Sequence, residues 1–153
     1  MRVGVATLAE HAAALCSAYG VRHDPIDSVR RARAVRRADQ RIIRAAPVRT
    51  QLSYFVLLHE LGHLVGPGRS GRRLEQEAAA WRFALTTALV EPSPATARRI
   101  GRYLSSYAAW AHNRQHRRRG RPWIPPRGHD FWLLLDELAV AADDAAQRTR
   151  STA

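Results

Sequence analysis

Within the stretch LHELGHLVGPG, residues 58–68, His59, Glu60 and His63 have the types and spacing of a helix-borne metal site, the HExxH pattern. On an α-helix, at about 100° per residue, positions four apart lie within roughly 40° of each other and one turn apart. His59 and His63 therefore share a face, where two imidazoles can hold one cation. Glu60 falls just beside that face, so its carboxylate can reach a water at the site without being a ligand itself. Leu57, Leu61 and Leu64 fall on the opposite side and are expected to anchor the helix in the core. Gly62, between the ligands in sequence, leaves room for another segment to approach. With this composition the pattern arises by chance at a frequency on the order of 1%, so it is read as a metal site. His112 and His116 are also four apart, but no Glu lies between them and arginines follow. That pair reads as a solvated helix end.

A zinc ion with three protein ligands keeps a position for water, lowers the pKa of that water and polarises a carbonyl. One catalytic Zn²⁺ is thus the expected cofactor, and peptide-bond hydrolysis the expected reaction. Glu60 is the expected general base, taking a proton from the attacking water and delivering it to the leaving amine. The single Cys16 rules out a cysteine-built site, so the third ligand must be His or carboxylate. Three residues compete for that place. On a helical projection of residues 74–89, Glu77 shares its side with Trp81, Ala84 and Ala88, bordering the stripe Leu74, Ala78, Leu85 and Leu89. A carboxylate there points inward, where burial without a cation is costly, and the alanines let the HELGH helix come close. Glu75 lies about 160° away, near Arg82 and Thr86, as a solvated charge. His129 stands beside Asp130 at the start of the last helix, where it can reach the site or serve the fold. The projection favours Glu77 and leaves Glu75 and His129 as alternatives. A second donor to the developing oxyanion is usual, and Tyr54, Tyr103, Tyr107 and His129 are the candidates.

Several elements must position these groups. The pattern predicts a first helix over about residues 7–19, stopped by Gly20. Within residues 29–48 a short basic β-hairpin is read, with 31–34 alternating Arg and Ala and with Val35 and Ile42-Ile43 flanking a turn at Ala38-Asp39-Gln40. A helix from Thr50 to Val65 carries HELGH, and the glycine-rich residues 66–73 form a loop. A helix over 74–89 is ended by Pro92, and Ser93-Pro94 starts the next, which runs to about residue 118. A rigid proline-rich loop precedes a last helix. The fold expected is α+β and predominantly helical, a zincin-like single domain over residues 1–148 with the hairpin beside the HExxH helix. Residues 149–153 are expected to form a frayed tail.

The chain has 153 residues and a formal charge of +12. All 25 basic residues are arginine. Such a surplus attracts phosphate or an acidic partner with strong salt dependence, and equally suits a solvated surface. Its densest clusters are Arg31, Arg33, Arg36 and Arg37, and Arg117, Arg118 and Arg119. Weak non-specific nucleic-acid binding is therefore an expectation. No membrane span and no clean signal sequence are legible, because Glu10 and His11 interrupt the apolar N-terminus. A cytoplasmic location is expected.

HELGH, followed after a short loop by EQEAAAWRFA, resembles the ImmA/IrrE-type metallopeptidases, whose motif pairs HExxH with a later helix reading approximately ExxA[N/D]xFA. Here the second element is Glu77-Ala78-Ala79-Ala80-Trp81-Arg82-Phe83-Ala84, and the likeness covers about residues 50–90. Trp81 stands where a small polar residue is common, and Leu89-Val90-Glu91-Pro92 approximates the usual LLxP ending. The resemblance implies an intracellular zinc endopeptidase, of a kind often encoded on phages or mobile elements, whose protein substrate is a partner transcriptional repressor; the basic charge of the chain suits a target met on DNA. Two alternatives stand beside it. One is an SprT-like, DNA-associated protease with His129 as third ligand; the other is a non-catalytic, basic nucleic-acid-binding protein with a vestigial site.

Overall fold

The computed structural model describes residues 3–68, 71–115 and 123–150. His116 and the arginines at 117–119 lie outside them. Within them the fold is mixed α+β, with five α-helices and a three-stranded sheet. None of these helices is long and apolar enough to cross a membrane. The chain divides into two compact units, Met1–Arg69 with Ala79–Glu91, and Ser70–Ala78 with Pro92–Ala153.

In the first unit, α1 (Val5–Ala18) turns its buried Leu8, Ala12 and Cys16 to the core. Gly20 ends it in the left-handed region, φ 61°. The Gly20 N–H donates to Ser17 O at 3.0 Å and the Val21 N–H to Cys16 O at 2.8 Å, the paired bonds of a Schellman stop. The expected hairpin is present as β2 (Arg33–Arg37) and β3 (Gln40–Ala45), with Arg37 opposite Gln40 and Val35 opposite Ile42. The turn is the two residues Ala38-Asp39, and Ala38 adopts φ 29°. A third strand, β1 (Arg22–Pro25), pairs parallel with β3 and makes the order β1-β3-β2. The sequence reading lacked this strand because four residues, Arg-His-Asp-Pro, show no apolar alternation.

Helix α2 (Gln51–Val65) carries HELGH. It starts at a reciprocal cap: Thr50 Oγ1 accepts from the Ser53 N–H at 3.1 Å, and Ser53 Oγ accepts from the Thr50 N–H at 3.0 Å. It lies against α1, β2 and β3, and Arg36 Nη2 donates to Leu64 O at 3.0 Å near its carbonyl end. Burial departs from the expected single anchoring face. Leu57, Leu61 and Leu64 are buried as expected, and so is every other residue from Ser53 to Gly62. Neighbours therefore cover this helix on more than its leucine side: His59 and Glu60 are interior as well, and His63 is half-buried.

Helix α3 (Arg73–Thr87) is continuous across the boundary between the units. It stops two residues short of the expected Leu89, because the Leu89 N–H donates to the Tyr54 hydroxyl at 3.0 Å rather than extending the ladder. In the second unit, α4 (Pro94–Gln115) begins where Ser93 Oγ accepts from the Thr96 N–H at 3.3 Å. Its Ala97, Ile100, Leu104, Ala108 and Ala111 pack against α5 (Asp130–Arg150), which presents Phe131, Leu134, Leu138 and Ala142. Arg98 Nη2 donates to Ala142 O at 3.2 Å and joins the start of α4 to the later half of α5. α5 begins at Asp130 as a helix that incorporates residues 149 and 150 of the expected tail.

Candidate metal centre

One helical turn brings His59 and His63 together. Their Nε2 atoms are 3.1 Å apart, with the rings edge to face at 4.5 Å between centroids. Imidazole nitrogens this close share either a proton or an ion. Two Zn–N bonds of about 2.0–2.1 Å at a tetrahedral angle place their nitrogens about 3.3 Å apart, close to the separation seen.

Glu77 completes the group. One donor atom each from His59, His63 and Glu77 lies within 4.8 Å of the others. Glu77 stands one turn before Trp81 on α3, and the α3 residues from Ala79 onward belong to the same unit as α2. The approach of the helices there is close. A Cβ on Gly62 would stand 2.9 Å from Ala80 O and 3.2 Å from Phe83 Cβ, so the glycine between the two histidines does admit another segment. Glu77 is 1% exposed, and its Oε1 accepts from Arg73 Nη2 at 3.0 Å. Arg73 in turn lies over the Tyr107 ring at 5.4 Å.

Trp81 lies face to face with His59, centroids 4.1 Å apart and planes at 29°. Both residues are buried. The Trp81 ring therefore holds the plane of the His59 imidazole. Glu60 is buried on α2 beside the two histidines in sequence, 8% exposed.

The competing residues are placed otherwise. Glu75 is no freely solvated charge near Arg82 and Thr86. Its Oε2 accepts from the Arg72 N–H at 2.7 Å, capping α3, and its Oε1 lies 3.9 Å from His129 Nε2. His129 Nδ1 accepts from the Phe131 N–H at 3.1 Å, and its ring meets the Trp123 ring edge on. The two alternative ligands thus face each other. Among the oxyanion candidates, Tyr54 is fully buried, and its hydroxyl accepts from the Leu89 N–H and shares a hydrogen bond of 2.8 Å with His11 Nδ1. It is committed to holding α1 to α2. Burial raises its pKa, an effect the Leu89 bond partly offsets, and burial lowers that of His11. Tyr103 and Tyr107 are half-buried on α4.

Comparison with family models, curated proteins and solved structures finds no match for this chain.

The donor set itself decides what fits. Two imidazoles and one carboxylate suit zinc and leave room for a water. The sequence reading missed Arg73, although its spacing of four from Glu77 is the ordinary signal of a helical ion pair. It also missed the role of Trp81, which no spacing reveals.

Proposed function

We propose that this protein is a zinc-dependent endopeptidase of the ImmA/IrrE type with a zincin-like fold. The observation that carries the reading is the convergence of His59, His63 and Glu77, two imidazoles and a buried carboxylate within 4.8 Å. Zinc held there supplies Lewis acidity and lowers the pKa of a coordinated water. His59 and His63 would hold the ion from one face of α2 and Glu77 from α3. Arg73 takes one oxygen of Glu77 and so limits how the carboxylate turns. Glu60 would remove the proton from the attacking water and return it to the amine nitrogen that leaves. Burial of the ligand face raises the strength of each electrostatic contact in it.

The substrate proposed is a peptide bond of a partner protein, a transcriptional repressor or regulator, and the setting proposed is cytoplasmic. The net charge of +12 suits a substrate held on DNA. The experiment is co-expression with the transcriptional regulator encoded beside this chain, read by intact mass. Cleavage that disappears in Glu60→Gln supports the reading; an intact regulator with zinc-loaded protein present rejects that substrate.

A further inference from the structure

The arginines of the sheet divide into two kinds. In the β2/β3 ladder, arginine faces arginine twice, Arg36 opposite Arg41 and Arg33 opposite Arg44. Like charges directly opposite on antiparallel strands destabilise the pair, so each needs an acceptor. The first pair has them: Arg36 donates to Leu64 O and Arg41 to Tyr19 O at 2.6 Å. The second has none of this kind. Asp24 lies beside Arg44 in the β1/β3 register, but its carboxylate is held by Arg22, with contacts of 2.8 and 3.1 Å. Arg31, at the end of a short 3₁₀ turn (Val29–Arg31), brings a third guanidinium. Among the described residues, no hydrogen bond or ion pair of the side chain engages Arg31, Arg33 or Arg44.

These three arginines line one cavity of about 770 Å³, together with Asp24, Asp27 and the apolar Ile26. With Asp24 taken by Arg22, Asp27 is the one acid left in it to set against three cations. We propose that this cavity is an oxyanion site for a phosphorylated small molecule, its phosphate held by Arg31, Arg33 and Arg44. Guanidinium groups match phosphate oxygens in a two-pronged fashion. The concave shape, within the range of about 300–1,000 Å³ typical of small-ligand pockets, favours such a molecule over the convex backbone of a duplex. Ile26 offers an apolar surface for the group that carries the phosphate. The site is independent of the proteolytic reading.

The test is titration calorimetry of the full chain with inorganic phosphate at fixed ionic strength, with a short DNA duplex as a second arm. Arg33→Ala and Arg44→Ala remove members of the unsatisfied pair, and Arg37→Ala removes an exposed strand charge that does not line the cavity. The expected result is one phosphate site, weakened about tenfold by Arg33→Ala or Arg44→Ala and within twofold of the parent in Arg37→Ala. Circular dichroism checks that each variant is folded. No phosphate binding at low salt overturns the proposal, as does an equal loss in Arg37→Ala, which marks diffuse charge. It is also overturned if the duplex, and not phosphate, loses binding selectively in Arg33→Ala and Arg44→Ala.

Discussion

The plane of His59 is set from one side by its position on α2 and from the other by the Trp81 ring, at 4.1 Å. Removing that ring leaves a large hole beside His59. Trp81→Ala should therefore destabilise the fold by about 3–5 kcal/mol and weaken zinc binding about 10- to 100-fold, the usual effect of losing a group that orients a ligand. Trp81→Phe keeps a stacking face and should bind zinc within a few-fold of the parent. Competition against a calibrated chelator measures both, and equal affinities for all three proteins would show that the stack does not orient the ligand. Glu60→Gln separates chemistry from binding: zinc is retained, while cleavage of the partner protein falls by about 10²- to 10⁴-fold. Cleavage at the parental rate would show that Glu60 is not the base.

Helices α2 and α3 can share a metal because Gly62 lets the backbone at Ala80 come near. Gly62→Ala sets two effects against each other. Alanine favours the helix by about 1 kcal/mol, but its Cβ would stand 2.9 Å from a carbonyl oxygen that backbone geometry holds in place. Overpacking of this kind costs about 1–3 kcal/mol, so the net effect should be lower stability together with weaker zinc binding, read by denaturant unfolding and metal titration. Where α1 meets α2, the burial of His11 beside Tyr54 gives a pH dependence. Burial holds the His11 pKa below its ordinary 6.5, so its contribution is complete above that pH and is lost as pH falls through the folded-state value. His11→Gln should flatten the loss of stability below about pH 6.5; an unchanged profile in thermal melts would count against this coupling. At this scale α1, α2 and the hairpin were legible because periodicity, Gly20 and the turn residues all act locally. β1 was not, since a four-residue polar strand is defined by its partner β3. The end of α3 was not either, because the hydroxyl of Tyr54, 35 residues away, decides it.

Across the whole chain, the HExxH face could be read from spacing, and the projection favoured Glu77 over its rivals. The burial around α2 could not be read, because it depends on what α1, the sheet and α3 place against it. Charge shows the same division. The sequence yields 25 arginines, while the structure distinguishes those bonded to carbonyls from those lining a cavity. Because zinc would bind the folded chain and no preformed site exists in the unfolded one, metal and stability are linked. At a thousandfold excess over Kd the stabilisation is about 4 kcal/mol, equivalent to roughly 8–16 °C in Tm for a domain of this size. Chelation should lower the melting temperature on that scale, and re-addition of zinc should restore it. A chelator-insensitive melt would mean that the fold does not depend on an ion.

The most direct measurement is zinc content and affinity of the purified chain beside Glu77→Ala, Glu75→Ala and His129→Ala, each confirmed as folded. One zinc per chain is expected in the parent, in Glu75→Ala and in His129→Ala, with strong loss in Glu77→Ala. A parent that binds no zinc, or a Glu77→Ala variant that binds it as tightly as the parent, would contradict the proposed centre.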